Sequence, residues 1–555
     1  MMDHAANPHP PENASESTDE KDRSGEKDQT PGGLFSGLRI VSLCTLLSRV
    51  LGLVRDVGMA MLFGNGAVMD AFSVAFRIPN LARRFFGEGA LTAAFLPVFV
   101  GEIENNGKAS AWKVGSAVLV LLGLSLCLFV LLAELALWAY AACMPLSDEA
   151  ALLIRLTAIM LPYLILICLS AQISAMLHAL GHFTWPALVP VFLNVIWIAG
   201  IWWIAPRFET PAAQVTAVSG CILFAGVFQM VAPWPALRRL GFRYDPRWRE
   251  AKTKVKEIIA AMLPVLLGLS ITQLNALADS LIAWGFSAPE SASAAELAKY
   301  PMASGTASAL YLGQRMYQFP LGVFGVALGT VMFPLLSRHA QRGDVLELKR
   351  DFILGLKLVI GIGLPASVGL VILAEPLTEL LFHRGAFDAQ DAAQTSRMIC
   401  SYGIGVWAYS ALLIVHRGFY AMGDRSTPLK VGILAVVFNL ILSFSLIWPL
   451  GGQGLALATA FTAMLQLAGV TWAFEWRVGR LDWRSLWETV FKSAIASCLM
   501  GLACWQTHLM LSQSALSSRL INAAAPIGVS LIVYFTAAKL LNLNELALLI
   551  RRGKR

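Results

Sequence analysis

The sequence predicts an all-α polytopic membrane protein, and three observations carry that prediction. Of its 555 residues, 57% are hydrophobic and only 14% are charged, whereas a soluble domain has about 25% charged residues. The mean hydropathy is +0.64, and apolar runs of about 18 residues or more recur along nearly the whole chain, the length a helix needs to cross a bilayer. These runs do not alternate apolar with polar positions, which excludes a transmembrane β-barrel.

Residues 1–33 stand apart, with eight acidic and three basic residues and almost no large apolar side chain. Such a segment cannot bury a core and is expected to be a disordered cytoplasmic tail. It lacks the basic and apolar regions of a signal peptide, so the first span is expected to insert uncleaved. Setting aside the tail's net −5 raises the overall +8 to +13 on the remainder. The eight cysteines fall mostly within apolar runs, without a C-x-x-C pair, and read as small buried hydrophobes.

Fourteen spans are expected in order: 38–63, 68–100, 111–143, 150–178, 184–204, 213–235, 254–286, 302–336, 352–382, 393–420, 428–449, 453–475, 487–508 and 519–542. The loop at 238–256 holds eight Lys and Arg, and further basic loops follow the eighth and twelfth spans. The alternate loops at 64–67, 144–149 and 450–452 are nearly devoid of bases, so both termini are expected in the cytoplasm. A lipid or nucleic-acid patch is the other reading of the 238–256 cluster; a topology anchor is the reading adopted, and no nucleic-acid partner is expected.

The two halves contain a direct repeat. Leu132-Ala133-Glu134 recurs as Leu373-Ala374-Glu375, Arg155 as Arg397, Ala179-x-Gly181-x4-Pro186 as Ala421-x-Gly423-x4-Pro428, and Ala90-Leu91-x5-Pro97 as Ala327-Leu328-x5-Pro334. The offsets stay between 237 and 242 residues. Six spans per copy is an even number, so both copies share one orientation, with a substrate path expected between two six-helix lobes. The chain then divides into the tail (1–33), a first lobe (34–240), a second lobe (241–480), and two further spans with a basic C-terminus (481–555).

Charge inside the spans is not repeated. The first span carries Arg49, Arg55 and Asp56, and the second carries Asp70, Arg77, Arg83, Arg84 and Glu88; the second lobe has Arg315, five residues before Pro320. An arginine at the centre of a membrane helix costs about 2.5–3.5 kcal/mol, so such residues pair, reach for the interface or serve a function. Arg77 and Arg84 are assigned to pairing or to reaching the interface. Arg49, Arg55, Arg83 and Arg315 outnumber the carboxylates near them, and a surplus of buried guanidinium implies a missing anion. Phosphate fits, because the planar guanidinium donates two parallel hydrogen bonds and stays charged at any cellular pH.

The stretches SRVLGLVRD (48–56), DAFSVAFRIPNLARR (70–84), FGEGALTAAFLP (86–97) and RMYQFPLGVFGVALGT (315–330) resemble the MurJ/MviN family, and the resemblance runs from about residue 36 to the C-terminus. That family belongs to the multidrug/oligosaccharidyl-lipid/polysaccharide exporter superfamily. The resemblance implies fourteen spans in two lobes and flipping of lipid II, the undecaprenyl-diphosphate-linked peptidoglycan precursor, to the periplasmic leaflet of the bacterial inner membrane. It places the family's cavity arginines at Arg49, Arg55, Arg83 and Arg315, and the accompanying polar residues at Ser48, Asp56, Asp70, Asn80 and Glu88. Gln314 stands where members often have an acidic residue, which removes any ion pair expected there. Some members hold sodium in the second lobe; Asp279, Asn439 and Thr459 would supply hard oxygen ligands, with Ser443 where a second carboxylate would strengthen the site. A buried Asp279 that only hydrogen-bonds its neighbours is the competing reading.

The expected protein is therefore a monomeric flippase working by alternating access, without enzymatic activity, ATPase subunit or obligate cofactor, its partners being lipid II and membrane lipids. The alternatives are a flippase for another undecaprenyl-linked glycan, a cation-coupled drug exporter of the same superfamily, or a non-transporting scaffold. His178 and His182 have the spacing of metal ligands on a helix, but Gly181 marks a helix end between them. Gly87-Glu88-Gly89 is no nucleotide loop, since no strand precedes it and no Walker lysine follows.

Overall fold

The computed structural model describes residues 31–87, 89–513, 518–543 and 545. Its helices are α1 (Pro31–Phe63), α2 (Ala67–Ala82), α3 (Ala90–Cys143), α4 (Asp148–Ala179), α5 (Thr184–Ala199), α6 (Pro211–Val231), α7 (Trp234–Arg239), α8 (Lys252–Gly285), α9 (Ala294–Leu297), α10 (Thr306–Pro320), α11 (Val326–Arg342), α12 (Val345–Ile372), α13 (Ala374–Leu381), α14 (Ala389–Gly403), α15 (Val406–Ala421), α16 (Ser426–Leu450), α17 (Gly452–Val478), α18 (Trp483–Ser512) and α19 (Arg519–Leu540). No strand occurs among the described residues. Most of the expected tail lies outside the described residues, but α1 already opens at Pro31, a residue whose fixed φ and missing N–H suit a first helical position.

Ten of the described helical runs are long and apolar enough to cross a bilayer, or eleven if α14 and α15, bent by 42° to each other, form one span. One of the ten, Ala67–Cys143, is not straight. Gly107 has φ +75° within α3, and the chain folds back there. The rings of Phe99 and Trp112 meet at 5.7 Å, and Ser110 donates to Glu102 at 2.8 Å. On one straight helix, Phe99 and Trp112 would be about 20 Å apart.

The outer surface is apolar: Leu124, Phe224, Leu434 and Ile532 are exposed, as expected where lipid is the solvent. Inside, Phe95, Phe99, Trp112 and Phe242 build one core within the first half, and Phe352, Phe419 and Phe474 another within the second. The start of α8 packs into the first of these cores through Val255 and Ile258. Lys254 there pairs with Glu102 at 3.2 Å, and Lys113 pairs with Glu250 at 2.6 Å.

The repeated residues adopt matching backbone conformations. A π-helical turn at Arg83–Gly87 follows α2, and another at Leu321–Gly325 follows α10. Pro79 and Pro320 precede them; a proline lacks one helical N–H and crowds the preceding turn, a known cause of such widening. Both α4 and α15 end on a glycine with positive φ, Gly181 at +76° and Gly423 at +78°. His182 N–H closes the first of these ends onto Leu177 O at 2.9 Å, and Asp424 N–H the second onto Phe419 O at 3.0 Å, the Schellman pattern that favours glycine.

The two halves are tied together at the end where α1 turns into α2. Asn65 donates its backbone N–H to Asp391 at 2.9 Å and its side-chain amide to Thr395 at 2.8 Å, while Ala386 N–H donates to Met61 O at 2.8 Å. Asp70, buried on α2, accepts the backbone N–H groups of Gly305 at 2.9 Å and Ser308 at 2.6 Å. It thereby caps the N-terminus of α10, where a carboxylate meets both free donors and the positive end of the helix dipole. Gly305 has φ +83°, and a Cβ there would lie 2.8 Å from the Asn65 backbone, so only glycine allows this approach. Asp70→Ala should leave two buried donors unpaired and cost about 1–3 kcal/mol. Thermal denaturation of the purified protein checks this, and an unchanged midpoint would remove Asp70 from the closure.

Candidate functional site

Six helices, α2, α8, α10, α15, α16 and α17, converge on a cavity of about 350 Å³, within the range of ligand pockets. On α2 the lining positions Ser73, Arg77 and Asn80 recur every three to four residues and form one helical face, and Arg84 continues it on the π turn that follows. On α10 Tyr311, Gln314, Arg315 and Gln318 do the same. The wall carries three arginines, Arg77, Arg84 and Arg315, against one carboxylate, Asp279, among the described residues.

The sequence assignments divide here. Arg315 lies on the wall as expected, with Nε 3.1 Å from Asp56 Oδ2 and Nη2 donating to the Tyr311 hydroxyl at 2.9 Å. Asn80 also lines the cavity and accepts from Arg83 at 3.0 Å; Arg83 itself is not a wall residue.

Arg55 is buried away from the cavity. It donates to Asp56 at 2.7 and 3.0 Å and to Asn194 at 2.9 Å, and its guanidinium lies 4.2 Å from the Trp197 ring centroid. In this structure the donors of Arg55 face protein partners, not the cavity. Asn194 also donates to the backbone carbonyl and hydroxyl of Ser48 at 3.0 and 3.2 Å, so Ser48 helps to hold the amide that holds Arg55. Arg49 is also off the wall and rests against Gly322, so close that a Cβ there would meet its Nη1 at 2.6 Å. Asp70 caps α10 instead of facing a ligand, and Glu88 lies outside the described residues.

Asp56 is the junction of this network. It accepts from Arg55 on its own helix, sits at ion-pair distance from Arg315 on α10, and receives the Tyr311 hydroxyl at 3.3 Å. One carboxylate thus balances two guanidiniums from different halves of the chain.

Arg77 and Arg84, assigned from sequence to pairing or to reaching the interface, instead line the cavity. Arg77 meets amide oxygens: the Ala276 carbonyl at 2.9 Å and Gln314 Oε1 at 3.2 Å from both terminal nitrogens. Gln314 also donates its amide to the Tyr402 hydroxyl at 3.1 Å. A neutral glutamine in this place orients Arg77 without cancelling its charge. Arg84 donates to Gln273 Oε1 at 3.0 Å. The seven-residue spacing of these arginines was visible in the sequence; their neutral partners, on α8 and α10, were not.

Asp279, Asn439 and Thr459 do come together on the cavity wall. Thr459 donates to Asp279 Oδ2 at 3.2 Å, and the Asn439 amide lies 3.5 Å from Thr459 Oγ1. Ser443 is 3.5 Å from Asn439 Oδ1. Asp279 Oδ1 is buried without a hydrogen-bond partner, so the residues present fit a small hard cation. No group of three or more His, Cys, Asp or Glu suited to a metal occurs among the described residues.

A helical membrane bundle with an arginine-lined cavity where its halves meet belongs among the membrane transporters. Within that class, the family model described as lipid II flippase MurJ matches residues 59–524, and the chain belongs to that family. The probable lipid II flippase MurJ of Vibrio cholerae is 33% identical over 533 residues, covering 92% of this chain and 96% of the relative. The lipid II flippase MurJ of Burkholderia cenocepacia is 31% identical over 441 residues, covering 78% and 82%. A solved lipid II flippase MurJ in an inward closed conformation is similar with a TM-score of 0.73 at 21% identity, over 92% of this chain and 99% of that one. An inward-facing multidrug resistance transporter of the MATE family is similar at 0.62 and 14% identity, over 78% and 94%. At these identities the solved structures show the shared fold.

Asp56→Asn should leave Arg55 and Arg315 facing each other without a counter-charge. Removing one partner of a buried ion pair costs about 3–5 kcal/mol, and the partial exposure of Arg315 puts the expected loss at the lower end. A thermal midpoint equal to that of the unsubstituted protein would show that Asp56 is not the brace.

Proposed function

We propose that this protein flips lipid II from the inner to the outer leaflet of the bacterial cytoplasmic membrane by alternating access. The observation that carries the reading is the three-to-one excess of arginine over carboxylate on the cavity wall among the described residues, in a chain of the lipid II flippase family. In this reading Arg315, Arg77 and Arg84 bind the diphosphate. Arg55 acts through Asp56 as a positioning residue for Arg315, and Arg83 acts likewise through Asn80. Arg49 stands at the second π turn, where a moving substrate would meet it. A cavity for cationic drugs would carry the opposite charge, which disfavours the drug-exporter alternative.

The membrane layout belongs to the same proposal: fourteen spans, two six-helix lobes at 34–240 and 241–480, two additional spans within 481–555, and both termini in the cytoplasm. The fold-back at Gly107 supports counting Ala67–Cys143 as two spans, and the matching π turns support equivalent lobes. The α1–α2 turn then faces the periplasm, and the bonds of Asn65 and Asp70 close that side. Binding of one anion by arginines of both lobes would favour closure on the cytoplasmic side, the differential affinity that a population shift requires. The protein works as a monomer and catalyses no bond chemistry.

Arg315→Ala, Arg77→Ala and Arg84→Ala should each abolish rescue of cells depleted of their lipid II flippase, at normal protein levels. Lysine at the same positions should rescue partly, since it keeps the charge and loses the two-pronged donor. Growth supported by all three alanine variants would refute the diphosphate site.

We further propose that Asp279, Asn439 and Thr459 hold a sodium ion, which would join α8, α16 and α17. Thermal stability in sodium should exceed that in potassium or choline, and Asp279→Asn should abolish the difference. Equal stability of the unsubstituted protein in all three salts would return Asp279 to a hydrogen-bonding role.

A further inference from the structure

A strongly basic surface covers the segment that joins the two halves, 238–256, with its eight Lys and Arg. Leu237 and Phe242 at its start, and Ala251 and Val255 toward its end, sit in the first-half core. Gly241, at φ +95°, ends α7 so that Phe242 N–H closes onto Leu237 O at 3.2 Å. With these apolar residues held inside, Arg238, Arg239, Arg243, Lys252 and Lys256 are left exposed. The nearby carboxylates are already committed. Asp245 pairs with Arg247 at 3.3 Å, Glu250 with Lys113 of α3 at 2.6 Å, and Glu257 with Lys254 at 3.6 Å. Among the described residues, none of the five exposed bases forms an ion pair.

The acidic N-terminal segment joins the bundle at the same end. Helix α1 runs from Pro31 to the turn before α2, and the chain returns from that turn to Gly107. Residues flanking Gly107 hold the basic segment, since Glu102 pairs with Lys254 and Lys113 with Glu250. Pro31 and the 238–256 segment therefore lie at one end of the first half. Thirty residues precede Pro31, with eight Asp and Glu against three Lys and Arg. A flexible chain of that length spans about 30 Å, roughly three helix diameters, so the basic surface is within its reach.

We propose that residues 1–30 dock on the 238–256 surface, their carboxylates pairing with Arg238, Arg239, Arg243, Lys252 and Lys256. Single exposed ion pairs are weak. Here several act together, and the covalent tether supplies an effective concentration on the order of millimolar. Anionic lipid is the competing occupant. A membrane-surface element inserts an apolar face beside its bases, whereas Trp234 and Trp248 pack against the core. Arg238 and Arg249 lie over those two rings at 5.8 and 5.4 Å. Docking sets the N-terminal segment over the chain that links the halves, and it does not rest on the identity of the cargo.

Carbodiimide joins a lysine amine to a carboxylate only at contact distance, so the full-length protein in nanodiscs reports docking directly. Protease digestion and mass spectrometry should find residues 12–28 joined to Lys252 and Lys256, in phosphatidylcholine and phosphatidylglycerol discs alike. Lys430, exposed on α16 in the other half, should be joined at least about fivefold less. Combining Arg238→Gln, Arg239→Gln and Arg243→Gln alters only exposed side chains and keeps both reporter lysines. That variant should lower the yield about fivefold, and so should about 0.5 M salt with the unsubstituted protein. Loss of the products in phosphatidylglycerol discs alone assigns the surface to lipid and overturns the proposal. Their absence from both discs, an equal yield at Lys430, or full crosslinking of the triple variant overturns it as well. Products that join two differently isotope-labelled copies, in place of one chain, do the same.

Discussion

Asp56 sits between two guanidiniums in a low-dielectric interior, and much of the site depends on how that charge is shared. Arg55 comes from the same helix and Arg315 from the other half of the chain, so one carboxylate links α1 to α10. Charges in such an environment are stable only when paired and hydrogen-bonded. Trp197, Asn194 and Tyr311 complete the coordination. The arrangement leaves one positive charge in excess, and with Arg77 facing a neutral glutamine the excess accumulates at the cavity.

Backbone irregularity follows these charges closely along the chain in both halves. Pro79 and Pro320 each lie near a π turn, and those turns border the segments bearing Arg83, Arg84 and Arg315. In a bilayer such breaks are tolerated where they line a cavity or pack against protein. Gly322 has no side chain to collide with Arg49, and Gly305 has none to hold Asn65 away from α10. These two glycines therefore admit close contacts between the halves.

The likeness to a MATE-family multidrug transporter shows that this fold carries different cargoes. The chemistry of the wall is what bears on cargo: guanidiniums from α2, the π turn after it and α10, and, among the described residues, one carboxylate on α8 with hydroxyl and amide neighbours on α17 and α16.

The sequence by itself determined the helical membrane class, the direct repeat, the family, and the residue types of the site, because apolar length, periodicity and intramembrane charge are local properties of the chain. Resemblance to the family marked Arg315 and Asn80 for the cavity and grouped Asp279, Asn439 and Thr459. Which arginine faces the cavity was decided by tertiary structure. Arg55 and Arg77 look alike in sequence, each deep in a span, yet Arg55 meets Asp56, Asn194 and Trp197 while Arg77 meets Gln314 and Ala276. Asp70 shares a helical face with Arg77, but the N-terminus of α10 lies against it and takes both its oxygens. A charge finds its partner across more than a hundred residues of chain, and only the packing of helices from both halves determines which partner is within reach.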